Sequence, residues 1–459
     1  MKSILVKFNF IAALTAALLA TAIQAQSIAQ PGETLALTNV TVIDGKGGLP
    51  KPRMTLIIYG ERILEMFPTG KNKLPAGAKV MDLSGQYVMP GLIDSHYHLL
   101  PYDKAKEVVI ARFALLGGVT SVRDMAGDAI SLAELAKVAR ANNVQSPRIY
   151  FSAVMAGPTW FVDARVGMMM HGLPAGQAAW ARAIKPDTDI VKAVTEAKAA
   201  GVTGIKLYAD LSPDLVARIT REAHRQDLKV WSHATIFPSK PSDAAAARVD
   251  VLSHSVMMVF ELEDKLSDVS DKASYRTVAW KTASADSPVI TSLLRQMRKQ
   301  GTMLDDTIIH TNMRQLPSIV KAEAARQESE RIPGYASVVE SWTYGITRRA
   351  HQFGIPIVAG TDFSEHPESQ DFPNLHTELE LLVAKCGLTP LEAITAATRN
   401  GAIALGIQNS YGTIAKGKMA DLVILRADPS ADIRNTTQIL YVIKGGKVHK
   451  REKVVMPAA

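Results

Sequence analysis

From about residue 89 to 407 the chain alternates short strand-like runs with Ala-, Leu-, Glu- and Arg-rich stretches of helical length. No other feature limits the possible folds so strongly. A strand, a helix and a second strand bury their apolar faces together as a βαβ unit of a parallel sheet. Candidate strands end near His96, Asp124, Ser152, Lys206, His233, His254, Leu304 and Asp362. Eight such units over this span are what a (β/α)8 barrel requires. The expected fold class is therefore α/β, a TIM-type barrel. Two connections are long: Ala153 to Val202, with Trp160, Met168-Met169-Met170 and Trp180, and Ser255 to Gly301, with Trp280. Loops that leave strand C-termini form the mouth of a barrel. These apolar insertions are candidates for a substrate pocket, and core packing explains the methionine run equally well.

Both flanks of this region read as turn-rich β-structure. Leu37–Gly45, Met54–Gly60 and Ala78–Leu83 on one side match Ala420–Leu425 and Ile439–Val448 on the other. Neither flank is large enough to bury a core alone, so residues 30–88 and 408–455 are expected to pair into one small β-sandwich beside the barrel of residues 89–407.

The chain opens on Lys2 and Lys7, an apolar stretch from Phe10 to Ala22, and small residues around Ala25. This is the pattern of a cleaved export signal, assigned to residues 1–25. The stretch falls short of the ~20 apolar residues of a membrane anchor. With Cys386 the single cysteine, no internal disulfide can form, and the expected location is a bacterial periplasm or the medium. The net charge of +8 is dispersed along the chain. No basic arm suggests nucleic acid, and the expected partner is a small molecule, with homo-oligomer formation left open.

Five candidate strands end in groups able to bind a metal or move a proton: His96 with His98, Lys206, His233, His254 and Asp362. Residues i and i+2 of a strand share a face, so His96 and His98 point the same way. In a closed parallel barrel all these ends converge on one rim. Four of the eleven histidines lie at such ends, which chance placement would rarely produce. His171, His310, His366 and His376 fall in expected loops near the mouth, and His224, His351 and His449 in helical or tail contexts on the surface.

Met89-Pro90-Gly91-Leu92-Ile93-Asp94-Ser95-His96-Tyr97-His98, Gly118–Asp124, Ala359-Gly360-Thr361-Asp362, Leu388–Ala393 and Gly412–Leu422 together resemble the metal-dependent amidohydrolase superfamily, in its imidazolonepropionase-like and Xaa-Pro dipeptidase-like branch. The resemblance runs over nearly everything after the leader. It implies a barrel with a flanking β-sandwich and two divalent ions, expected to be Zn2+. His96, His98 and Asp362 would hold the more buried ion, and His233 and His254 the other. Lys206, carboxylated by CO2 to a carbamate, would bridge them. The chemistry implied is hydrolysis of a C–N bond, as in a dipeptide or N-acyl amino acid, by a metal-activated hydroxide. Asp362 would act as the proton carrier, with Tyr208 and Arg123 as candidate substrate contacts. The loop Leu207–Ser212 after Lys206 departs from the Gly/Ser-rich one of dipeptidase-like relatives, so dipeptidase specificity is not carried over.

The same site would serve an esterase, lactonase or phosphotriesterase, and a non-catalytic exported binding protein is a further alternative. Ser318-Ile319-Val320-Lys321 matches a Ser-x-x-Lys nucleophile pattern. It has no Lys-Thr-Gly companion, and a match of this length is expected by chance.

Overall fold

The computed structural model describes residues 33–99, 104–141, 144–266, 278–328, 331–363 and 365–455. The export signal assigned to residues 1–25 lies outside them. Among the described residues no helix is long and apolar enough to cross a membrane.

The N-terminal flank supplies β1 (Thr34–Val42), β2 (Lys51–Tyr59), β3 (Arg62–Pro68), β4 (Lys79–Asp82) and β5 (Tyr87–Pro90). The barrel follows as β6 (Leu92–Tyr97), β7 (Val119–Asp124), β8 (Arg148–Ala156), a small ribbon of β9 (Gln177–Ala178) and β10 (Ala181–Ala183), then β11 (Gly204–Leu207), β12 (Lys229–His233), β13 (Val251–Ser253), β14 (Met303–Asp305) and β15 (Ile357–Val358). The C-terminal flank adds β16 (Leu422–Leu425), β17 (Ile439–Lys444) and β18 (Lys447–Lys450).

Parallel pairing runs β6-β7-β8-β11-β12-β13-β14-β15. The circle closes through backbone bonds from Ser95 N to Ala359 O (3.0 Å) and Thr361 N to His96 O (3.1 Å). Strands of such a barrel are covered on both faces, and every residue of β6, β7 and β11 is buried. The third strand runs past Ser152 to Ala156, because β10 pairs with Val154–Ala156 beyond the end of β7.

The flanking strands form the second sheet, in the order β18-β17-β16-β5-β1-β2-β3. One edge of β1 pairs first with β4 and then with β5, the change falling around Asn39 (φ 59°). Leu37, Val40, Leu56, Ile58, Val88, Leu422, Ile424 and Ile443 fill the sandwich core from both chain ends. The stretch Ile439–Val448, which reads as one strand in the sequence, is a hairpin. Gly445 and Gly446 both take positive φ (54° and 75°), the requirement of a tight two-residue turn.

Asp421, from the C-terminal motif, joins the two bodies. Arg148 at the start of β8 grips its carboxylate with Nε (2.8 Å) and Nη2 (3.2 Å), while Gly445 N donates to it at 2.6 Å. Such a pair is weak evidence of net stability, but removing one partner of a buried pair typically costs ~3–5 kcal/mol.

Candidate metal centre

The pleat of β6 sends Asp94, His96 and His98 to one side of the strand. Asp94 sits deepest. It accepts hydrogen bonds from His96 N (3.1 Å), Thr361 N (3.1 Å) and Thr361 Oγ1 (2.8 Å), which ties β6 to the segment carrying Asp362. Burial raises its pKa to about 7. Gly360 makes this approach possible, since a Cβ there would lie 2.6 Å from both Asp305 Oδ1 and His96 Cβ. Two residues on, Asp362 takes the left-handed conformation (φ 58°) at the rim.

Asp362 is where the imidazoles meet. Its Oδ1 lies 2.8 Å from His98 Nε2 and 3.4 Å from His96 Nε2, and its Oδ2 lies 2.8 Å from His310 Nδ1 and 3.9 Å from His254 Nδ1. Burial would raise this carboxyl's pKa. The interaction with His310, with the hydrogen bonds of His310 and His98, outweighs it and holds the group well below the usual range. His96, His254 and Asp362 each offer a ligand atom, all within 4.8 Å of one another.

His254 also has positive φ (70°), and its Nδ1 lies 2.9 Å from Thr307 Oγ1. Its ring centroid is 4.8 Å from that of His96 and 4.8 Å from that of His233. Burial, helped by the Lys206 charge, pulls the pKa of His96, His233 and His254 well down. Neutral imidazoles are what a divalent ion requires, so this donor set fits one. His98 is the exception: burial lowers it, but the bond to Asp362 and that group's charge leave it raised.

Lys206 is fully buried on β11. Its Nζ donates to Ser253 Oγ at 2.9 Å, and no carboxylate of the described residues lies within ion-pair distance. Burial, with Arg123 adding to it, brings its pKa down to about 7 against the pull of Asp305 and Asp362. A buried amine so lightly held, and so readily neutral, is suited to reaction with CO2.

Asp305, which no sequence pattern singles out, underlies the whole group. Its Oδ2 meets His96 Nδ1 (2.8 Å), Arg123 Nη2 (3.1 Å) and Ser253 Oγ (3.1 Å). Fixing one ring nitrogen in this way orients the other toward Asp362. Arg123 must accordingly be moved from the substrate to the barrel interior. It is wholly buried, bonded through Nε to Ser95 O, and stacked 4.6 Å over Trp231. Tyr208 is at the rim, its ring 4.6 Å from His233 and 4.7 Å from Trp160, its hydroxyl donating to Met125 O at 3.3 Å.

Of the loop histidines, His310 alone reaches this group. Glu378, fully buried, accepts from Ile308 N (3.0 Å) and Ile309 N (2.7 Å), fixing the start of the helix that presents it. His171 pairs with Asp128 and His366 with Glu368. His376 is not at the mouth: it is buried between Gly117 O and Thr436 Oγ1. His449, expected on the surface, is also buried. The insertions serve mostly as core, with Met169, Met170, Trp180 and Trp280 all buried. Cys386 is buried too, and burial pushes its thiol pKa up.

A sequence profile described as the amidohydrolase family matches residues 87–449. An imidazolonepropionase of Symbiobacterium thermophilum is 24% identical over 381 residues, 80% of each chain. One from Christiangramia forsetii is 37% identical over 94 residues, 20% of this chain and 22% of that one. The chain thus spans less than a quarter of the latter relative's length in the aligned stretch. The crystal structure of a Xaa-Pro dipeptidase with bound methionine in its active site superposes with a TM-score of 0.70 at 20% identity, covering 91% of this chain and 100% of that one. At that identity the likeness bears on the fold alone.

Proposed function

Because the chain belongs to the amidohydrolase family, a family generally dependent on metal, we propose that it hydrolyses a C–N bond of a small amide or peptide-like substrate. The observation that carries this reading is the Asp362 carboxylate, ionised among His96, His98, His254 and His310 at 2.8–3.9 Å. His96, His98 and Asp362 would hold one divalent ion, and His233 and His254 a second, with Lys206 as its carbamate between them; Zn2+ is the expected metal. Ions bound there supply an activated water and polarise the substrate carbonyl.

The remaining steps belong to the chain. Asp362 accepts the proton of the attacking water and passes it to the departing amine, for which its position between the imidazoles and the mouth suits it. Asp305 and Thr307 hold His96 and His254 in orientation through ring nitrogens. Tyr208, beside His233, borders the substrate. Carboxylation of Lys206 balances as amine plus CO2 giving a carbamate and one proton, which the neutral amine allows.

Substrate panels test the reading. Protein supplied with Zn2+ and bicarbonate is expected to turn over dipeptides and N-acyl amino acids faster than matched esters, lactones or phosphotriesters. Turnover confined to the oxygen esters would overturn it in favour of esterase or phosphotriesterase action.

A further inference from the structure

Phe363 follows Asp362 directly, and its carbonyl accepts from His98 N at 3.2 Å. Its buried ring carries two side chains of the helical segment that follows β14. The His310 ring stands edge-on at 5.4 Å, and the Arg314 guanidinium lies 4.3 Å over its face. They lie four positions apart in the chain, on the π-turn Thr311–Gln315 that continues the helix from His310, about one turn of helix. Arg314 is exposed, and no carboxylate of the described residues pairs with it. Some exposed arginines have such partners, as Arg434 with Asp432 and Arg225 with Glu222, and others such as Arg140 and Arg221 have none among the described residues; what sets Arg314 apart is the aromatic ring beneath it, next in sequence to Asp362.

Stacking on an aromatic face fixes the plane of a guanidinium and leaves its N–H edge open. That edge matches a carboxylate in a two-point grip. Here it stands about one helical turn along the chain from the histidine that touches the proton carrier, on the ring next in sequence to that carrier. We propose that Arg314 binds a free carboxylate of the substrate, one residue away from the bond that is cut. The substrate class is then an amide whose amine half is an amino acid with a free carboxylate. This inference rests on the C–N hydrolysis proposed above. It also orients the substrate: the carboxylate lies by the closure of the barrel at β15 and β6, and the acyl half faces Tyr208 and Trp160, across the barrel by β11 and β12.

The test uses pairs of N-acyl amino acids and dipeptides with their C-terminal amides, assayed on metal-supplied wild type, Arg314→Met and Arg314→Lys. Met keeps an apolar stem on Phe363. Wild type is expected to prefer the free acids. In Arg314→Met the ratio of kcat/KM between acids and amides should fall ~10–100-fold, the range of a charge-assisted hydrogen bond, chiefly through KM. Arg314→Lys should recover part of it as a point charge. A loss shared equally by both series would report packing alone and overturn the inference while leaving the hydrolysis intact. Wild type that prefers the amides would do the same. Absence of turnover in both series would overturn the hydrolysis and the inference together.

Discussion

Lys206→Ala is expected to carry about one divalent ion fewer than wild type and to lose at least ~100-fold in kcat/KM. That is more than the ~10–100-fold typical when an outer partner of a metal ligand is removed. The side chain is fully buried, donates to Ser253 Oγ at 2.9 Å beside Asp305, and has its Nζ 5.7 Å from the centre of the Tyr208 ring that packs against His233. It therefore stands centrally among the proposed ligands. Removing its carbamate would take away the only anion proposed to lie between two cations. The truncation also leaves space, so a small carboxylate such as acetate or propionate in the buffer should restore part of both the metal content and the rate. Metal analysis of dialysed protein, beside turnover of an N-acyl amino acid, reads the result. Retention of both ions at full rate by Lys206→Ala would leave a single-metal site as the better description.

Much of this arrangement is legible in the sequence, for a physical reason. Parallel barrel strands are apolar runs, and the residue types at their C-terminal ends stand out against them, as with Ile93-Asp94-Ser95-His96 or Val230-Trp231-Ser232-His233. Strand parity is harder to read. Arg123 and Asp124 end the same strand on opposite faces, and choosing the inward one requires a register that only neighbouring strands set. The seventh strand is three residues long, and the left-handed Thr307 (φ 50°) follows it closely. Asp305 closes this short strand one residue past the expected end near Leu304, and His310 lies beyond it in a stretch with no strand periodicity to place it. The helix at Asn374–Cys386 buries His376 against Gly117 and Thr436, a contact between segments remote in the chain that no local pattern announces. The split at Gly445-Gly446 could have been read, since two successive glycines between β-branched runs are a hairpin signal.

Asp362→Asn keeps the shape of the side chain and removes its basicity. General acid–base catalysis contributes ~10²–10⁴-fold, and the lost charge weakens any metal ligation besides. A fall of at least ~10³-fold in kcat/KM is therefore expected, with the folded state retained. His96, His98 and His310 would still find a neutral oxygen at this position, although the amide nitrogen cannot accept from them. The decisive measurement follows bound metal and amide turnover together as chelator-treated protein is titrated with Zn2+ in bicarbonate buffer. Turnover in wild type should rise in proportion to bound ion, while Asp362→Asn stays at least ~10³-fold slower at every loading. Full turnover by metal-free wild type, or wild-type turnover by loaded Asp362→Asn, would contradict a metal-dependent hydrolysis centred on Asp362.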